Sequence, residues 1–124
     1  MPIDYTFDHE RRLVHATAHG VVVLQDILDY FDAVSIHDAA AYQKLFDARE
    51  MVPQFTDDDA MVVAARVSAY AEFDPRGAVA AVATTAEARF ALRRYANFFG
   101  GEGRPVRLFD NIETARAWLA RMPS

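Results

Sequence analysis

The run Gly77, Ala78, Val79, Ala80, Ala81, Val82, Ala83 contains no polar side chain. A strand that gives one face to water alternates polar with apolar residues. An unbroken run of small apolar residues therefore reads as a strand covered on both faces, as in parallel sheets flanked by helices. This segment commits the chain to an α/β architecture and makes that strand central in its sheet. It is too short to cross a bilayer, which takes about 20 apolar helical residues.

The flanking patterns supply the other elements. Ile3, Tyr5 and Phe7 alternate with Asp4, Thr6 and Asp8, and after a turn at His9, Glu10 and Arg11 residues 12–19 alternate again, with Val14, Ala16 and Ala18 on one side. Period two over both segments predicts a β-hairpin, closed by Gly20. From Leu24 the spacing changes to Leu24, Ile27, Leu28, Phe31 and Val34, the rhythm of an amphipathic helix whose polar face carries Asp26, Asp29 and Asp32. A strand over 42–48 follows, then a connection containing Pro53.

Thr56 followed by Asp57, Asp58 and Asp59 offers a capping hydroxyl and carboxylates at the positive end of a helix dipole. This second helix is expected to run to about Phe73 on a stripe of Ala60, Val63, Ala64, Val67 and Ala71, and to stop at Asp74 and Pro75. Thr84 to Glu87 fits a capping box for a third helix with Ala88, Leu92, Tyr95 and Phe99 inward, ended by Gly100 and Gly101. A last strand over 105–109 leads through Asp110 and Asn111 into a fourth helix, with Ile112, Ala115, Trp118, Leu119 and Met122 inward. The order is ββαβαβαβα: a mostly parallel five-stranded sheet with an antiparallel edge hairpin and four helices, its crossovers right-handed.

With 124 residues, 52% of them hydrophobic and 25% charged, the chain has the composition of an ordinary globular protein. It is expected to form one domain over residues 1–124. Lys and Arg total 13 against 18 Asp and Glu, a formal net charge of −5. That balance repels phosphate backbones and anionic lipid, so no nucleic acid partner is expected and membrane association gains no support from charge. The lack of cysteine excludes disulfides, thiolate metal sites and a cysteine nucleophile. Residues 1–5 show no basic stretch leading into an apolar one, which makes the cytoplasm the default location.

Three stretches carry a family resemblance. Tyr5, Thr6, Phe7 and Asp8 of the hairpin, Leu45, Phe46, Asp47, Ala48 and Arg49 after the first helix, and the closing segment from Val106 to Ala115 resemble the bacterial SpoIIAA-like proteins. The resemblance extends over nearly the whole chain. It implies a relation to the STAS domain of anti-sigma-factor antagonists, and a likeness to Sec14-type lipid-binding domains. In true antagonists the strand after the first helix is followed by an Asp-Ser-Ser-Gly-like turn with a phosphorylatable serine at the start of the second helix. Here residues 47–57 contain no serine, which removes the basis for that switch.

Thr56 is the hydroxyl nearest that position. A phosphate there would gain from the helix dipole but meet Asp57, Asp58 and Asp59, and a plain N-cap role suffices for it. His15 and His19 share a strand face but stand roughly 13 Å apart at about 3.3 Å per residue, too far for one metal ion unaided. His9 and His37 read as surface histidines. No metal and no cofactor is expected.

Asp47 and Arg49 are better placed, because α/β sheets bind ligands beyond the carboxyl ends of their strands. With Thr84 and Thr85 they are the only basis for an enzyme, and a local ion pair ordering the loop accounts for them as well. Gly100, Gly101 and Gly103 leave a helix to enter a strand, the reverse of a phosphate loop. Arg89, Arg93 and Arg94 make a basic patch on the third helix.

One feature exceeds what a monomer needs. On the second helix Val62, Ala69 and Phe73 project away from the core stripe, with Met61 also outward, and Phe90 is similarly misplaced on the third. Outward apolar surface implies a partner, a bound apolar ligand or a membrane, unless a loop covers it, for which residues 51–55 are available. The leading expectation is a non-enzymatic STAS-like regulatory module. It would be a homodimer or bind a regulatory protein through helices two and three, near Arg66 and Arg89. The alternative is a carrier or sensor of an apolar small molecule or lipid, its groove lined by Met51, Phe55, Met61, Val62, Phe73 and Phe90.

Overall fold

The computed structural model describes residues 2–71, 77–99 and 105–122. Its elements are β1 (Ile3–Asp8), β2 (Leu13–Val23), α1 (Leu24–Ile36), β3 (Gln43–Gln54), α2 (Asp57–Ala71), β4 (Val79–Val82), α3 (Ala86–Phe99), β5 (Val106–Phe109) and α4 (Ile112–Arg121). The expectations placed on Phe73, Asp74, Pro75 and Gly100 to Gly103 lie outside the described residues. So do the side chains of Ala64, Val67, Ala69, Ala71 and Phe99.

The strands line up in chain order, β1-β2-β3-β4-β5. Only β1 and β2 run antiparallel, and the other three pairings are parallel. The apolar run behaves as its composition demands. Ala81 and Ala83 face the core shared with α1, α2 and α3, whereas Ala80 and Val82 face the core built by α4. The middle of the sheet, however, is β3, and β4 lies one strand away, between β3 and β5.

Both ends of the β2 and β3 pair depart from expectation. Gly20 does not end β2. It adopts a positive φ of 69°, a conformation glycine reaches without steric cost, and the strand continues to Val23. Residues 51–54, expected in a connection, continue β3, with Pro53 opposite Val22. The register shifts between Thr17 and His19, where β3 carries an extra residue, a bulge that bends the pair. Beyond it the two strands project as a ribbon past the ends of β1 and β4. Met51 and Val22 are buried on one side of it, while Val21, Val23 and Val52 are exposed on the other.

The caps follow local chemistry. Asn111 starts α4 by accepting the N–H groups of Glu113 at 2.7 Å and Thr114 at 3.2 Å. At α3 the cap is Thr85 rather than Thr84, its hydroxyl accepting from Ala88 N–H at 3.2 Å. The far end of α4 is held from the sheet: the Gln43 carboxamide donates to the carbonyls of Leu119 at 2.8 Å and Met122 at 3.1 Å. Gly77 is required by space. A Cβ there would stand 2.3 Å from the Tyr42 carbonyl oxygen, which no rotamer change relieves.

Candidate functional site

Parallel pairing points the carboxyl ends of β3 and β4 the same way and brings the N-termini of α2 and α3 side by side. Thr56 and Asp59 close a reciprocal capping box at α2. The hydroxyl accepts from Asp59 N–H at 3.2 Å and the carboxylate accepts from Thr56 N–H at 2.9 Å. Asp57 pairs with Arg94 of α3 at 2.8 Å, and Asp32 of α1 pairs with Arg66 of α2 at 3.2 Å. The second helix is thus tied to both neighbours by ion pairs at its polar edges.

Between the 53–55 segment, α2 and α3 lies an open groove of about 490 Å³, bordered by Pro53, Phe55, Asp57, Glu87, Phe90 and Arg94. Beneath α2 lies a second, more enclosed space of about 70 Å³, walled by Ile27, Phe46, Met51, Val63, Ala81 and Leu92 among others. The stem of Lys44 also borders it. That ammonium is buried, 3% exposed, and donates to the carbonyls of Ala40 and, at 2.7 Å, Tyr42.

The outward face of these helices carries Met61, 62% exposed, Val62, 47%, and Phe90, 60%. The Arg94 guanidinium lies over the Phe90 ring, 5.5 Å from its centroid. The residues expected to line one groove are divided between three places. Met51 and Phe55 face the inner chamber, Phe55 and Phe90 face the outer groove, and Met61 and Val62 border neither. Residues 51–54 continue β3 rather than forming a covering loop, and although Pro53 and Phe55 border the groove beside Phe90, Met61 and Val62 stay exposed.

The basic patch is mostly committed elsewhere. Arg89 donates to the Ala83 carbonyl at 3.1 Å, holding the end of β4, and Arg94 serves Asp57. Asp47 and Arg49 form a two-point pair, Nε to Oδ1 at 2.9 Å and an Nη to Oδ2 at 2.7 Å, while Arg49 N–H donates to Oδ1 at 3.1 Å. Asp47 is 7% exposed, and its hydrogen bonds from the Arg49 side chain hold the carboxyl below the usual carboxylate range against the opposing effect of burial. The pair sits where β3 bulges, inside the strand rather than at its end, and it orders that irregularity. Asp47 and Arg49 thus engage each other, while the Thr85 hydroxyl is occupied in capping α3.

The histidines are dispersed. His9 shares a 2.7 Å hydrogen bond with the Tyr42 hydroxyl, His19 one of 2.7 Å with Asp4, and His37 stacks on Phe7 at 4.5 Å. His15 keeps a buried Nε2 with no hydrogen-bond partner. Among the described residues no three His, Asp or Glu side chains converge as metal ligands would. Sequence reasoning missed Lys44. Parity within β3 places it with Tyr42, Phe46 and Ala48, all buried, and that was the available signal. It also missed the exposed Val21, Val23, Val52 and Ile36.

The architecture is a SpoIIAA-like α/β fold, with one antiparallel edge strand, three helices on one sheet face and one on the other. Comparison with known proteins reaches the same class. No protein-family model and no curated protein matches the chain. Among solved structures it is similar to an uncharacterised protein of the DUF3478 family with a SpoIIAA-like fold from Shewanella loihica PV-4. The TM-score is 0.63 at 15% identity, over 94% of this chain and 93% of that one. It is also similar to the anti-sigma factor antagonist SpoIIAA in its unphosphorylated form, with a TM-score of 0.57 at 13% identity, over 97% and 99% of the two chains. At these identities the likeness is one of fold. Among the described residues no helix is long and apolar enough to cross a membrane.

Proposed function

We propose that the protein is a non-enzymatic STAS-like regulatory module that acts in the cytoplasm and recognises a protein through the outward faces of α2 and α3. The observation that carries this reading is the exposure of Met61, Val62 and Phe90 on helices whose inner sides, at Val63, Ala88 and Leu92, are buried in the core. Exposed apolar side chains on a folded helix are unfavourable in water and gain when a partner covers them. The SpoIIAA likeness supports a regulatory protein as that partner, because that protein's name describes an antagonist of an anti-sigma factor. A homodimer through the same faces meets the same physical need.

The serine-based switch has no counterpart in this reading, since the α2 cap is Thr56 with Asp59 closing on it. Native mass spectrometry of the purified chain, with and without Met61→Glu and Phe90→Glu, tests the assembly. The expected result is a dimer, or a retained protein partner, that the substitutions dissociate. A monomer that neither variant alters, and that gains no partner by crosslinking in its host cell, overturns the reading.

A second reading, a carrier or sensor of an apolar small molecule, is favoured by one observation. An apolar chamber lies directly beneath α2.

A further inference from the structure

The ribbon that β2 and β3 form beyond the bulge exposes Val21, Val23 and Val52 on one side. Val21 and Val52 stand opposite each other, and Val23 follows two residues along the same side. The alternate residues, Val22 and Met51, are buried in the core that α1, α2 and α3 cover. The three valines therefore look out from the other side of the sheet, away from α2 and α3. Clustered exposed side chains of this kind mark an interaction surface.

The backbone limits how a partner can use it. Pairing with β1 ends at Ala18 and pairing with β4 ends at Asp47, so among the described residues both ribbon edges run on without a neighbouring strand. Each edge is blunted. On β2 the His19 N–H donates to the Pro2 carbonyl at 2.8 Å and the Val23 N–H to the Asp26 carboxylate at 2.9 Å. On β3 the Arg49 N–H donates to Asp47, and Pro53 has no N–H to offer. Edges closed in this way resist strand addition, which leaves docking by side chains on the valine face.

Charge and size select the occupant. Glu50 is exposed one step before Val52 on the same side, Asp26 stands at Val23, and Asp4 joins His19 opposite Glu50. Arg49 is the only Lys or Arg in residues 18–23 and 48–54, and it is paired with Asp47. An apolar centre with an acidic border attracts an aliphatic segment flanked by cations and repels anionic lipid or a second copy of itself. Five residues of two strands cover roughly 16 Å by 10 Å. That is far less than the about 800 Å² per partner of a stable interface between folded proteins, so a short linear segment fits where a dimer does not.

We propose that the valine face of this ribbon docks a short aliphatic segment with basic flanks, carried by a partner protein. This surface is separate from the one on α2 and α3, and having both lets one chain engage two partners from opposite sides of its sheet.

The test is titration of the full chain, methyl-labelled for NMR, with a synthetic nonapeptide of alternating lysine and valine and with the same peptide carrying glutamate for lysine. The expected result is saturable shifts of the Val21, Val23 and Val52 methyls with the lysine peptide and none with the glutamate peptide. Glu50→Lys is expected to weaken binding several-fold, and Val52→Asp to abolish it. Unmoved Val21, Val23 and Val52 methyls at millimolar lysine peptide overturn the proposal, as does an equal response to both peptides or a response confined to Met61 and Val62. Should Val52→Asp fail to fold, the two peptides and Glu50→Lys decide alone. Met61→Glu leaves this titration unchanged, so the two recognition surfaces stand or fall separately.

Discussion

The two faces of the sheet are packed to different standards. On one side a single helix, α4, lays Ala115, Trp118 and Leu119 over Leu45, Ala80 and Val82, and the indole fills the space the small strand residues leave. On the other side three helices cover the strands, and a chamber remains whose wall includes the small side chains Ala60, Ala81 and Ala91 beside larger ones. The contrast is one of fit, for the chambered face carries the larger side chains, Tyr30, Phe31, Phe46 and Met51 among them, and still leaves a space. The outer surfaces differ as well, for α4 turns Glu113, Thr114 and Arg116 to water while α2 turns Met61 and Val62. The filled face and the face that retains a chamber thus lie on opposite sides of one sheet.

That contrast can be broken most forcefully from the closed side. Trp118→Ala removes the filler of that face and is expected to cost about 3 to 5 kcal/mol, measured by urea unfolding. A loss below about 1 kcal/mol would show that the α4 face is no better packed than the other. Leu92→Ala on the hollow side is expected to cost about 2 kcal/mol, the low end for a leucine. Its wall already forfeits contacts to the void beside it. Equal losses from the two substitutions would erase the distinction.

A smaller effect sharpens the picture at the strand that serves both faces. The Asp47 carboxyl titrates below its ordinary range in the folded chain, held there chiefly by hydrogen bonds from Arg49. Its contribution is therefore present above the ordinary carboxylate pKa and lost as the pH falls through the lowered folded value. Asp47→Asn is expected to destabilise modestly at neutral pH, the gap from the unaltered chain closing under acid conditions. A gap that stays constant through acid unfolding would mean that the charge is immaterial. The smallest effect belongs to the outward face. Met61→Glu is expected to change stability by no more than about 0.5 kcal/mol, while weakening any assembly that α2 mediates. A large loss in thermal melts would place Met61 in the core instead.

Much of this division could be read from residue order. The alternation of Ile3, Tyr5 and Phe7, the unbroken run ending at Ala83 and the cap at Asn111 each report a local physical demand, and each element formed where that demand was stated. The outward Met61, Val62 and Phe90 were legible for the same reason, since helical periodicity assigns a face to every residue. What stayed hidden depends on contacts distant in sequence. Pro53 suggested a break, but its partner Val22 lies across the ribbon and keeps β3 extended. The separation of Phe55 from Met61 into different spaces follows from how three helices meet, which no periodicity encodes. Arg89 and Arg94 looked like a free basic patch because their acceptors, the Ala83 carbonyl and Asp57, lie on other elements.

The bonds from the Gln43 side chain to the carbonyls of Leu119 and Met122 join residues 76 and 79 positions apart. During synthesis, which proceeds at about 5 to 20 residues per second, the hairpin and first helix can settle as soon as they emerge. The α4 face of β3 must wait several further seconds, with Leu45 bare to water, until residues 119–122 have been made. The α4 face of the sheet is thus the last to be sealed, and until then Leu45 and its neighbours on that face offer the nascent chain an apolar surface for misassociation.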